Sequence, residues 1–163
     1  IERGNGKLKI SMTDSKAFEL GVNIATTPGK VVFRNELIEL LQYTPTTQKS
    51  FKRPLLIIPP WINKFYILDL REKNSFVKWC TDQGQTTFVI SWVNPDAKLA
   101  DAGFERYLAE GTLTALDAIE EATGEREVPI GGSDATDDGH AGPSADAPAL
   151  DVNHVTVPTG RPR

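Results

Sequence analysis

Three kinds of side chain in this sequence could take part in chemistry: one thiol, two imidazoles and a scatter of carboxylates on a helical stretch. Cys80 is the only cysteine, so it is the first candidate nucleophile. It stands at helical spacing from Phe76 and beside Trp79, ahead of Gln83-Gly84, with no histidine nearby in sequence. A catalytic thiol needs a base that raises its thiolate population, so Cys80 is expected to be inert packing. A lone cysteine also forms no intramolecular disulfide, which is compatible with a reducing compartment. His140 and His154 lie in a Gly/Pro-rich stretch without cysteines or clustered carboxylates. Histidines that hold a metal or move a proton need fixing partners, so neither is assigned a role. Glu105, Glu110, Asp117, Glu120 and Glu121 read as the solvated side of an amphipathic helix rather than a metal site. Neither G-x-x-x-x-G-K-[ST] nor G-x-G-x-x-G occurs, so nucleotide chemistry has no support, and no metal or cofactor is expected.

The elements that would position any site come next. Lys7 to Thr27 is mixed and carries no clear period. Pro28-Gly29 signals a turn, and Val31-Val32-Phe33-Arg34 after it predicts a strand. Ile38 to Tyr43 predicts its hairpin partner, with the turn around Asn35-Glu36. Pro54-Leu55-Leu56-Ile57-Ile58 is continuously apolar, the pattern of a strand covered on both faces of a parallel sheet. Pro59-Pro60-Trp61-Ile62-Asn63 then reads as a turn, with Trp61, Phe65 and Tyr66 available as core aromatics. Ser75 to Gln83 predicts a helix stopped at Gly84, and Thr86 to Ser91 a second buried strand. Asn94-Pro95-Asp96 predicts a turn that opens the following segment. Phe104 to Thr123 predicts the longest helix, with Tyr107, Leu108, Gly111, Ala115, Ala118, Ile119 and Ala122 on one face and Gly124 as its stop. Strand, helix, strand, long helix after a hairpin predicts an α/β fold. The next strand should start near Val128.

Composition changes there. No Phe, Trp or Tyr follows Tyr107, no Lys follows Lys98, and Gly plus Pro fill 10 of the 35 positions from Pro129 to Arg163. Such a stretch buries too little apolar surface to offset its conformational entropy, so the folded part is expected to end near Val128. The opening Ile1-Glu2-Arg3-Gly4 has no initiator Met and no signal-peptide pattern, which reads as a start partway into a longer product. A formal charge of −4 without a dense Lys/Arg block argues against nucleic acid as a partner. No apolar run approaches the roughly 20 residues of a transmembrane helix.

Several segments together resemble the class I polyhydroxyalkanoate synthases. They are residues 21–35 (Gly21-Val22-Asn23-Ile24-Ala25-Thr26-Thr27-Pro28-Gly29-Lys30-Val31-Val32-Phe33-Arg34-Asn35), Leu40-Leu41-Gln42-Tyr43-Thr44-Pro45, and the long run from Arg53 through Pro59-Pro60-Trp61-Ile62-Asn63-Lys64 to Leu70. Gln83-Gly84 and Ser91-Trp92-Val93-Asn94-Pro95-Asp96 complete the match, which runs in order from about Gly4 to Val128. The resemblance covers the family's N-terminal domain and the first strands of its catalytic domain. It implies the start of an α/β-hydrolase fold, with residues 1–52 the end of the N-terminal domain, 53–128 the opening of the catalytic domain and 129–163 a low-complexity tail.

The family reaction so implied is polymerisation of (R)-3-hydroxyacyl-CoA to a storage polyester with release of CoA. It uses a Cys in a G-x-C-x-G elbow, with a His to activate it and an Asp to orient the His. This sequence holds no G-x-C-x-G: after Val128 it reads Pro129-Ile130-Gly131-Gly132-Ser133-Asp134-Ala135-Thr136. The tail is therefore expected to be disordered, or a frame-shifted or read-through end, and the chain alone is expected to be inactive. The loop after the first parallel strand implies one oxyanion-hole amide, at Trp61 or Ile62. Expected partners are the acyl-CoA, a synthase subunit or a polyester granule in the cytoplasm. The competing expectation is a non-catalytic module that docks on a synthase or granule. An ordinary esterase of the same fold would need a G-x-S-x-G, and none is present. With its sheet cut short, the chain is further expected to leave Phe88 and Ile90 poorly covered at an open edge.

Overall fold

The computed structural model describes residues 17–132 apart from Ile62; the side chain of Lys98 is also not described. The residues after 132, with His140 and His154, lie outside the described residues, as do residues 1–16.

Among the described residues, five strands form one sheet. They are β1 (Gly29–Arg34), β2 (Ile38–Tyr43), β3 (Leu55–Ile58), β4 (Thr87–Trp92) and β5 (Ile130–Gly132), in the spatial order β1-β2-β4-β3-β5. The first two make the expected antiparallel hairpin, with Gly29 opposite Tyr43 and Arg34 opposite Glu39, and a bulge between Val31 and Phe33. Its turn is built by Asn35, whose Oδ1 accepts from both Leu37 N and Ile38 N at 2.8 Å. β2 runs antiparallel to β4, whereas β3 lies parallel to β4 and to β5. One sheet thus takes strands from both sides of position 52.

Helices cover both faces. Helix α1 (Phe76–Asp82) begins where Ser75 Oγ accepts from Lys78 N at 2.8 Å, a side-chain N-cap. It turns Val77, Cys80 and Thr81 inward, and Val77 packs with Tyr43, Ile57 and Val89. Phe76 and Trp79 face outward instead and stack on one another, ring planes 12° apart. On the opposite face a continuous helical run covers Leu40, Leu56, Phe88, Ile90 and Trp92. It comprises α2 (Phe104–Arg106), a π segment (Tyr107–Leu113) and α3 (Thr114–Thr123), and stops at Gly124 with φ +75°, the left-handed geometry expected of that glycine.

Three expectations need correction. The face of the long helix is not the one read from a 3.6-residue period: Leu108 and Ala122 are exposed, and Leu116 is buried beside Ala115 and Ile119. The π segment widens the turn and shifts the phase of everything after it. The sheet also does not stop at Val128, because Leu56 N donates to Pro129 O at 2.9 Å and Ile57 faces Gly131 in β5. Gly-Gly has poor strand propensity, but the free edge of β3 supplies the partner that sequence propensity could not reveal. Phe88 and Ile90 are consequently fully buried, since β4 is flanked by β2 and β3 and covered by α3.

Phe88→Ala should therefore cost about 3–5 kcal/mol of stability, while truncation of the exposed Val32 should stay within about 0.5 kcal/mol. Urea unfolding of the two variants measures the contrast; equal, small losses would mean that β4 is not the centre of the sheet.

Candidate functional site

In sheets of this type, ligands bind outside the carboxyl ends of parallel strands where successive connections leave for opposite faces. Here that point lies between β3 and β4. The chain leaves β3 for α1 on one face, and leaves β4 for α3 on the other. The residues at the two carboxyl ends are Pro59, Pro60 and Trp61 after β3, and Trp92 and Val93 closing β4.

Trp92 joins them. Its indole Nε1–H donates to the carbonyl of Pro59 at 2.7 Å, the two prolines having no N–H with which to tie the strand end themselves. Its ring lies against the helix backbone: a Cβ added to Gly111 would stand 2.6 Å from Cζ3 of Trp92. Only a residue without a side chain lets helix and ring approach so closely. Thr114 Oγ1 donates to Ala109 O at 2.9 Å inside the same wide turn. The hairpin turn braces the segment from outside: Asn35 Nδ2 donates to Glu110 O at 2.7 Å, and Arg106 pairs with Glu110 at 3.0 Å and Glu36 at 3.2 Å.

Around Trp92 stands an aromatic corner. Trp61 meets Trp92 edge-on at 6.4 Å, Tyr107 at 4.7 Å and Phe104 at 5.9 Å between ring centroids. Trp61 is 48% exposed, so it is not the core aromatic that the sequence allowed, and Phe65 and Tyr66 are half-buried. Phe104, Leu108 and Val93 are also exposed. The corner is an aromatic wall beside the Pro59 carbonyl, which Trp92 already holds. Sequence reading singled out Trp61 but missed Trp92, Tyr107 and Phe104 as its neighbours. Ile62, the second candidate amide, lies outside the described residues. Asp96 O accepts from Leu99 N at 3.1 Å, opening a 3-10 turn (Ala97–Leu99) after the Asn94-Pro95-Asp96 stretch.

Cys80 is far from this corner in character. It is buried on the α1 face, and burial pushes its thiol from 9.0 to about 11, partly opposed by a hydrogen bond with Thr87. That is the reverse of what a nucleophile needs. On the same face, burial and the nearby Asp69 raise Tyr43 to about 12. Two acidic residues of the helical run form ion pairs, Glu110 with Arg106 and Glu120 with Arg126. Among the described residues no three His, Cys, Asp or Glu side chains converge as metal ligands, and no helix is long and apolar enough to cross a membrane.

Fold and site together define a mixed α/β protein with helices on both faces of its sheet and a candidate site at the carboxyl ends of its parallel strands. Residues 1–80 match the family described as poly-beta-hydroxybutyrate polymerase (PhaC) N-terminus. The chain is 55% identical over 132 residues to the poly(3-hydroxyalkanoate) polymerase of Methylorubrum extorquens, covering 81% of this chain and 22% of that protein. It is 57% identical over 128 residues to the polymerase subunit PhaC of Rhizobium meliloti, covering 78% and 21%. To that of Cupriavidus necator it is 45% identical over 122 residues, covering 75% and 21%. By these matches the chain resembles the N-terminal portion of polyhydroxyalkanoate polymerases, and it spans about a fifth of the length of the curated relatives it matches.

Two outcomes follow for the site. Trp92→Phe leaves the Pro59 carbonyl without its indole donor, and Gly111→Ala drives a methyl into the ring; each should cost about 1–3 kcal/mol in chemical denaturation. Cys80 and Tyr43 both ionise at higher pH in the folded than in the unfolded chain. Folding stability should hold below pH 9 and fall as pH rises, through about 11 for Cys80 and about 12 for Tyr43. Cys80→Ala should flatten the part of that decline nearest pH 9; an unchanged profile would mean that the thiol ionises freely in the folded state.

Proposed function

We infer that this chain forms the opening of an α/β-hydrolase sheet in a polyhydroxyalkanoate synthase, and that the loop after β3 supplies one oxyanion-hole amide, at Trp61 or Ile62. The family reaction transfers an (R)-3-hydroxyacyl group from CoA to a cysteine and then to a growing polyester. The observation that carries the reading is the parallel pairing of β3 with β5, in which Ile58 stands opposite Gly132. The carboxyl ends of these two strands emerge side by side, about 5 Å apart. In this fold the first bears the oxyanion loop and the second the nucleophile elbow, so their amides face one tetrahedral intermediate. The aromatic corner of Trp61, Tyr107, Trp92 and Phe104 gives the acyl chain an apolar wall next to that point.

The sequence after Gly132 lacks the G-x-C-x-G nucleophile, and Cys80 is buried and hard to ionise, so this chain by itself releases no CoA. The proposed division keeps residues 1–52 as the end of the N-terminal domain, extends the catalytic opening from 53–128 to Gly132, and leaves the tail after it. A second reading draws on the exposed Trp61, Phe104, Leu108 and Val93: a module that docks on a synthase or on the granule surface in the cytoplasm. It requires co-sedimentation of the purified chain with polyester granules, lost on Trp61→Ala and Phe104→Ala substitution.

The synthase reading is tested by a chimera in which residues 17–128 replace the matching stretch of the Methylorubrum extorquens polymerase, assayed with (R)-3-hydroxybutyryl-CoA. The chimera should release CoA where the chain alone does not. Proline at 61 or at 62, removing one N–H at a time, should at one of the two positions lower kcat about 10²–10³-fold with little change in KM. Trp61→Ala keeps the N–H and should keep most of kcat. Full kcat in both proline variants would refute the oxyanion assignment.

A further inference from the structure

Asp69 is a buried carboxylate to which nothing above assigns a task. Only 1% of its surface is exposed, and among the described residues no cation is paired with it. A buried charge of this kind is costly unless hydrogen bonds replace its water. Both of its oxygens are held by one residue: Thr27 N donates to Oδ2 at 3.0 Å, and Thr27 Oγ1 donates to Oδ1 at 2.8 Å. The backbone is tied as well, with Ala25 N donating to Asp69 O at 2.7 Å. Ala25 itself has φ +52°, left-handed geometry that an alanine keeps only where its surroundings hold it. Thr27 Oγ1 also lies 3.4 Å from Ser75 Oγ, the hydroxyl that caps α1.

From Asp69 a chain of tight turns leads back to the candidate site. Asp69 N donates to Tyr66 O, Ile67 N to Lys64 O, and Asn63 N to Pro60 O, at 2.9–3.0 Å. At the far end Trp92 holds Pro59. The connection is therefore fastened at two points, by an indole at the strand and by a carboxylate ten residues on.

We propose that Asp69 is a positioning residue: by gripping Thr27 it fixes the far end of the turn chain that presents Trp61 to Trp92 and Tyr107. The segment around Thr27, distant in sequence, thereby sets the placement of the loop after β3. The consequence for catalysis rests on the oxyanion reading of that loop, whereas the mechanical coupling does not.

Hydrogen exchange of the whole chain, followed by mass spectrometry, tests the coupling. Asp69→Asn exchanges one accepting oxygen for an amide that cannot accept, and Thr27→Val removes the hydroxyl while keeping shape. Each should speed exchange across residues 60–69 about tenfold, the worth of one charge-assisted bond, with β2 and β4 unchanged. The double variant should add nothing beyond the larger single effect, since both remove the same contact. In a Trp79→Phe background, leaving Trp61 and Trp92 as reporters, the fluorescence emission should move to longer wavelength in both variants. Faster exchange confined to residues 20–27, with 60–69 and the emission unmoved, would overturn the proposal, because Asp69 would then only pin the earlier segment. A uniform rise over the sheet would overturn it too. Thr27→Val, the milder change, decides the matter if Asp69→Asn does not fold. An inactive chimera beside a responsive 60–69 segment would count against the oxyanion reading and leave the positioning role intact.

Discussion

The structure hangs on the close approach of the Trp92 ring to the helix backbone at Gly111. One indole ends the central strand, ties the neighbouring strand end through Pro59, and seats the wide turn of the helical run. A bulky residue at 111 would push the helix outward and uncover Ile38 and Ile90 beneath it. The π turn belongs to the same fit: it accommodates the ring by widening one turn rather than by tilting the whole helix, and π turns are frequent at functional sites.

That fit decides what stands at the carboxyl ends of the parallel strands. With Trp92 committed to Pro59 and Gly111, its outer edge is left to Trp61, and Tyr107 and Phe104 follow from the same helix. The corner is built of aromatic rings, with polar groups only at the Tyr107 hydroxyl, the Trp61 indole and the backbone. It gains shape from one side by the hairpin, through Asn35, Glu36 and Arg106, and from the other by the Asp69 and Thr27 contact. Elements far apart in sequence thus converge on a short loop. The loop's own residues, two of them prolines, have little means of holding it.

The opposite face is a plain structural layer. Val77, Ile57, Val89 and Tyr43 pack there, and the lone thiol shares their burial, which raises its pKa and removes it from nucleophilic chemistry.

Much of the local structure was legible in the residues. The hairpin around Asn35, the runs at Leu55–Ile58 and Thr87–Trp92, the Ser75-capped helix and the stop at Gly124 all follow from propensity, period and cap chemistry within a few residues of chain. The family resemblance was equally readable, because the run from Arg53 to Leu70 is long and specific. Tertiary structure alone decided the rest. It placed β4 at the centre of the sheet, carried the strand expected near Val128 on through Ile130-Gly131-Gly132 against the free edge of β3, and rotated the helix face so that Leu116 went in and Leu108 out. Each of these depends on partners many positions away: a strand edge in search of hydrogen bonds, and an indole that only a glycine could admit. Local sequence encodes what a segment prefers; which neighbour it meets is settled by the packing of the whole.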